Sequence, residues 1–268
     1  MKRSTAVFVS LLAVAGAHAQ DWAKSRLESS PRHQEWVDLK SGDRTLKSFV
    51  VYPERQDKAP VIVIIHEIMG MTDWVMLLAD QLAAAGIIVV APDFLSGMGP
   101  NGGRTNDFAD VGKAREAISS LPPDQVTRDL NAACDYAAKI PSGNGKVMVG
   151  GFCWGGTQTF RFATNRGDLA AAFVFYGTGP DDSEALSKIS APVFGFYGGD
   201  DNRVNSTLDR CKTQMEAAGK MFEPVIYEGA GHGFMRSGDM PDAAEANKKG
   251  RQDAWSRWID LIKKHGGS

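Results

Sequence analysis

From Ala59 to His66 the chain reads Ala-Pro-Val-Ile-Val-Ile-Ile-His, an unbroken β-branched run that predicts a strand buried on both faces. Before it, residues 35–39 and 46–52 alternate apolar with polar around Ser41-Gly42-Asp43. Two antiparallel strands with one wet face are expected there. After it, helical spacing over residues 73–85, an apolar run at 87–90 and the turn Ala91-Pro92-Asp93 complete a strand–helix–strand unit. Residues 94–106 are glycine-rich and lack any period, so they predict a loop leaving the C-terminal end of a strand, where such folds hold ligands. Helical patterns cover 109–120 and 123–140, the second opened by Pro123, a residue suited to the first helical turn. Beyond the strand ending near Cys153 and its following helix come strands at 171–176, 193–197 and 224–227. Helices are expected at 183–189, 204–218 and 243–264. Strands alternate with helices and no low-complexity linker intervenes, so the expected architecture is one α/β domain with a mostly parallel central sheet, an N-terminal antiparallel hairpin and helices on both faces.

Residues 1–19 break this alternation. Lys2 and Arg3 precede an apolar stretch over 6–15 and then Ala17-His18-Ala19, the layout of a signal peptide with an A-x-A cleavage site. The apolar run falls well short of the ~20 residues that span a bilayer. The expectation is therefore an exported chain, periplasmic or secreted, whose single mature domain covers residues 20–268 and has no membrane attachment after cleavage. The formal charge of −2 becomes −4 once Lys2 and Arg3 are removed, with no concentrated run of lysine or arginine. Nucleic acid and anionic membranes are not expected partners. A hydrophobic content of 43% with 23% charged residues excludes a disordered chain. A monomer is expected.

The chemistry centres on Gly151-Phe152-Cys153-Trp154-Gly155-Gly156, a strand that meets a helix at a cysteine with glycine two places either side. That is the form of a nucleophile elbow with sulfur in place of the hydroxyl. A thiol there would project from the sheet edge at a helix N-terminus, where a thiolate and an oxyanion are favoured. Cys134 and Cys211 instead fall on apolar helical stripes, with Val126, Leu130 and Ala137 and with Val204, Leu208 and Met215, and read as core residues. A cysteine nucleophile needs a base. His232, in Gly229-Ala230-Gly231-His232-Gly233, follows the last predicted strand in a glycine-rich turn. The acid to orient it should follow the preceding strand, where Gly198-Gly199-Asp200-Asp201-Asn202-Arg203-Val204 offers Asp201, with Asp200 as the alternative. Nucleophile, acid and histidine then run in the chain order of the α/β-hydrolase fold. The backbone N–H groups of Ile68 and Trp154 are the expected oxyanion hole.

With the early Glu67-Ile68-Met69-Gly70, these motifs make nearly the whole mature chain resemble the dienelactone hydrolase family. The resemblance implies an α/β-hydrolase fold and cleavage of a small carboxylic ester or lactone through a thioester on Cys153. The sequence has no metal-ligand cluster, no phosphate-binding Gly-Lys-Ser/Thr motif and no long amphipathic insertion, so no metal, cofactor or large lid is expected. The resemblance also implies that Glu67 contacts the resting thiol and that Arg236, in His232-Gly233-Phe234-Met235-Arg236, helps bind a substrate carboxylate. The family's second arginine has no counterpart in Phe94-Leu95-Ser96-Gly97; Arg104, later in the same loop, is the candidate to replace it. Phe234, with Trp154, is a candidate for lining an acyl pocket. The alternative from another class is an exported binding or thiol-sensing protein with little catalysis, in which Cys153 undergoes reversible thiol chemistry.

Overall fold

The computed structural model of the chain describes residues 20–267; the signal-peptide reading lies outside them. The hairpin forms as β1 (Gln34–Ser41) and β2 (Arg44–Val51), followed by β3 (Ala59–Ile65), β4 (Ile88–Pro92), β5 (Gly143–Phe152), β6 (Ala172–Phe175), β7 (Val193–Gly198) and β8 (Phe222–Tyr227). The eight strands make one sheet in the order β1-β2-β4-β3-β5-β6-β7-β8. β2 is antiparallel to both its neighbours, and every pairing from β4 through β8 is parallel. Pro224 sits within β8, a place open to proline because that strand is the sheet's edge.

Alternation along β3 divides the core. Val61, Val63 and Ile65 point to one face and share its core with Leu130 and Cys134 of α4 (Pro123–Ala137) and Leu208 and Met215 of α8 (Leu208–Ala217). Ile62 and Ile64 point to the other, under Trp74, Leu78 and Leu82 of α2 (Asp73–Ala84) and Trp258 and Ile262 of α10 (Glu245–Gly266). This two-sided burial of one strand is what its unbroken apolar run requires. Cys134 and Cys211 are buried and free. Burial pushes their thiols up to about 12 and about 11, which keeps them protonated and unreactive.

The departures from the sequence reading have physical causes. The segment after Gln20, polar in sequence, contains the helix α1 (Asp21–Glu28), which buries only Ala23 and so carries almost no apolar period. The chain beyond it is tied down by polar groups: Ser30, Arg32 and Gln34 all converge on the Asp80 carboxylate. The expected helix over 204–218 is two, α7 (Asn202–Asn205) and α8, parted at Ser206 and Thr207. Asp201 starts the first by accepting the Val204 N–H, as a cap does. α3 (Val111–Ser119), α5 (Trp154–Ala163), α6 (Ser183–Ser187) and the short α9 (Phe234–Ser237) complete the set. No helix among the described residues is long and apolar enough to cross a membrane.

Candidate active site

β5 ends at Phe152 and α5 begins at Trp154, leaving Cys153 alone at the turn with φ 56° and ψ −115°. A side chain in that region is strained by about 1–3 kcal/mol, and such strain persists only where the surroundings enforce it. Here they do. The Cys153 N–H is anchored on Phe175 O at 3.0 Å, and Cys153 O accepts the Thr157 N–H at 3.1 Å. The start of α5 presses against β3 so closely that a Cβ on Gly155 would lie 2.3 Å from Ile65 O. Small flanks are therefore a consequence of how near the elbow helix approaches its strands. Cys153 is left partly exposed, above the C-terminal edge of the sheet.

His232 is delivered to the same edge by the turn after β8, and Asp201 by the turn after β7. The two turns are fastened backbone to backbone: Gly199 N–H donates to Tyr227 O at 2.8 Å and Asp200 N–H to Ala230 O at 3.0 Å. Gly198 has no room for a side chain, since a Cβ would stand 2.5 Å from Ala230 O. The clamp sets Asp201 Oδ2 at 2.5 Å from His232 Nδ1. Of the two candidate acids, Asp201 is buried on the imidazole while Asp200 is exposed. The His232 ring is pushed up to about 9; the Cys153 side chain is the largest influence, burial opposes it, and Asp201 adds to the rise.

A second carboxylate lies near the same site, since Tyr176 feels the charge of both Glu67 and Cys153. Glu67 is buried, with Oε2 accepting from Arg236 Nε at 2.7 Å and Oε1 facing the Tyr176 hydroxyl at 3.5 Å. Its bonded partners are thus an arginine and a phenol, and the resting contact with the thiol implied by the resemblance is not among them. Burial opposes the Arg236 charge, but the Glu67 carboxylate more than offsets it and raises that group further. Tyr176 leaves β6 with φ 39° and lies edge-to-face with His232 at 5.1 Å and with Phe234 at 5.5 Å. Burial first, and then the Glu67 charge, hold its hydroxyl well above the phenolic range, so it remains a donor toward Glu67.

The structure gathers Cys153, His232, Asp201, Glu67 and Arg236 at one edge, with the main chain of Ile68 and Trp154 close by. Among the described residues, the backbone bonds of the loops and caps include none donated by the Ile68 or Trp154 N–H. Two candidates are placed elsewhere. The Arg104 guanidinium lies 3.6 Å over the Trp36 ring of β1, the edge strand four places along the sheet from β5, a cation–π contact that leaves its buried Nη1 without a hydrogen-bond partner. Phe234 is fully buried between Tyr176 and Tyr227, so it backs the site instead of lining it. Tyr176 was missed in the sequence, although a tyrosine ending the strand beside the elbow strand was the signal. Among the described residues no group of three or more His, Cys, Asp or Glu side chains could hold a metal ion.

A parallel sheet entered by an antiparallel hairpin, with a cysteine elbow on β5 and a carboxylate–histidine pair on the turns after β7 and β8, defines an α/β-hydrolase. The family model for the dienelactone hydrolase family matches residues 46–266, and the chain belongs to that family. It is 29% identical over 226 residues to the carboxymethylenebutenolidase of Pseudomonas putida, covering 82% of this chain and 94% of that one. Two solved structures share the fold. A dienelactone hydrolase-like promiscuous phosphotriesterase from metagenomic libraries aligns with TM-score 0.73 at 21% identity, over 87% of this chain and 98% of that one. The dienelactone hydrolase from Anabaena variabilis aligns with TM-score 0.65 at 20% identity, over 85% and 97% of the two chains.

Proposed function

We propose that this protein hydrolyses a small carboxylic ester or lactone with Cys153 as nucleophile, His232 as acid and base, and Asp201 as the group that orients the imidazole. The observation that carries the reading is the 2.5 Å contact between Asp201 Oδ2 and His232 Nδ1, made beside a cysteine held at a strained elbow. A carboxylate on Nδ1 fixes the proton there and turns Nε2 toward the nucleophile. Cys153 passes its proton to Nε2, giving the thiolate–imidazolium pair that the raised proton affinity of His232 favours, and the sulfur attacks the carbonyl carbon. The resulting oxyanion takes hydrogen bonds from the Ile68 and Trp154 N–H groups, of the kind that lower such barriers by about 3 kcal/mol each. The imidazolium then protonates the departing alkoxide, which breaks the C–O bond and leaves a thioester. Water, deprotonated by the neutral His232, attacks the thioester, and expulsion of the thiolate releases the acid.

The likeness to the Pseudomonas putida carboxymethylenebutenolidase supports an ester or lactone as the bond cleaved. Arg236, paired with Glu67 but still 30% exposed, is the group that could meet a carboxylate on the substrate. Cys153→Ala should fold as the parent does and lose hydrolysis of p-nitrophenyl acetate by on the order of 10⁴-fold or more. Retention of parental turnover by that variant would end the reading.

A further inference from the structure

His66 ends the buried run of β3 and is itself fully buried, one residue before the loop that supplies the Ile68 N–H. Both of its ring nitrogens are engaged. Nδ1 lies 2.8 Å from Glu67 O; a carbonyl oxygen can only accept, so Nδ1 carries the hydrogen. Phe94 N–H points at Nε2 from 3.4 Å, which makes that nitrogen an acceptor. One neutral tautomer satisfies both contacts, and burial favours it by lowering the ring's affinity for a second proton against the opposing charge of Asp93.

The consequence follows from peptide planarity. Glu67 C=O and Ile68 N–H belong to the same peptide unit, and in a trans peptide they point in opposite directions across one plane. The Glu67 oxygen is held from His66 Nδ1 at 2.8 Å and from Gly70 N–H at 3.0 Å. Whatever fixes that oxygen also aims the Ile68 N–H. The same ring stacks on Trp154, centroids 5.7 Å apart and planes 20° from parallel, while Phe94 closes the group edge-on to both. His66 therefore touches the peptide that presents one oxyanion donor and the side chain of the residue that presents the other.

We propose that His66 is a positioning residue for the oxyanion hole, orienting the Ile68 N–H through the Glu67 carbonyl and bracing Trp154 through its ring. The inference rests on the hydrolase reading above. A role of this kind acts on the transition state and leaves ground-state binding and the reactivity of the thiol alone.

Two substitutions separate the parts. His66→Phe keeps a ring against Trp154 and removes the donor; His66→Gln loses the ring and keeps a donor that can reach the Glu67 carbonyl. With p-nitrophenyl acetate, His66→Phe should lower kcat by about 10- to 100-fold, the scale of a misplaced oxyanion donor, with KM within about threefold of the parent. His66→Gln should recover most of the lost kcat. Alkylation of Cys153 by iodoacetamide, which forms no oxyanion, should proceed in both variants at the parental rate across the pH range. If His66→Phe does not fold, His66→Leu takes its place in the same comparison.

A parental kcat in the donor-less variant would overturn the proposal. So would a rise in KM alone, a His66→Gln variant no better than His66→Phe, or a fall in alkylation rate parallel to the fall in kcat. Wild-type protein without any esterase turnover would end the hydrolase reading and this inference together, whereas an active wild type with an equally active His66→Phe ends this inference alone.

Discussion

Two carboxylate–cation pairs stand near Cys153, and they differ in kind. Asp201 meets His232 at 2.5 Å and Glu67 meets Arg236 at 2.7 Å; in each the carboxylate is buried and the cation about one-third exposed. Asp201 is carried on two turns clamped to one another, and its partner can gain and lose a proton within the working pH range. Glu67 faces a guanidinium that never loses its charge, under a phenol that burial keeps protonated. The first pair can move a proton. The second can only hold a charge in place, so its effect on the reaction must pass through position and field.

The largest test of that contrast removes the charge from each carboxylate without changing its size. Asp201→Asn takes away the acceptor that selects the imidazole tautomer, and kcat should fall by on the order of 10³- to 10⁴-fold with thermal stability near the parent's. Steady-state kinetics and a melting curve measure both. Glu67→Gln should instead be seen first in stability. Removing one partner of a fully buried ion pair costs about 3–5 kcal/mol, and with Arg236 30% exposed solvent screening reduces this to about 1–3 kcal/mol. A double-mutant cycle with Arg236→Met, followed by urea denaturation, should give a coupling of that size. Asp201→Asn with parental kcat, or a cycle with no coupling, would erase the distinction between the pairs.

The contrast was half legible in the chain. The elbow, the histidine turn and the acid before α7 are local signals: glycine spacing around Cys153, glycines around His232, and an aspartate in the loop that follows the preceding strand. Each constrains backbone over a few residues, which is why sequence order alone was enough to line them up. The second pair is different in kind. Glu67 and Arg236 are 169 positions apart, and nothing local in Glu67-Ile68-Met69-Gly70 states that its carboxylate turns to an arginine and to Tyr176. Tyr176 in turn was hidden by its own strand, since a tyrosine closing an apolar run looks like the last core residue until its φ of 39° sends the ring toward His232. α1 was missed because polar contacts, which leave no period in a sequence, hold that end of the chain.

A smaller effect follows from protonation. His232 is pushed up from 6.5 to about 9 in the folded protein, so folding favours the imidazolium. Its contribution to stability is complete below about pH 6.5 and is lost as the pH rises through about 9. The Tm advantage of wild type over His232→Gln should therefore be widest in acid and vanish on the alkaline side of pH 9. An advantage that grows with pH would mean that the ring is neutral in the resting site.

The smallest expected change concerns Arg104, and it decides where a substrate's charge can be felt. With its guanidinium 3.6 Å over Trp36 and Trp36 against Phe49 at 5.4 Å, this side chain packs on the hairpin side of the sheet. β2, β4 and β3 stand between β1 and the elbow strand; at a spacing of about 4.8 Å per strand, that separation exceeds the Debye length of about 8 Å at physiological salt. Arg104→Ala should thus cost about 0.5–1 kcal/mol of stability, the scale of a cation–π contact. It should leave the ratio of kcat/KM between a carboxylated ester and its neutral analogue unchanged. Arg236, within hydrogen-bonding distance of Glu67 and beside the thiol, is the residue whose loss should move that ratio. If the ratio follows Arg104 instead, the loop after β4 swings its arginine into the site when substrate binds, and the charge that selects substrate comes from the hairpin side.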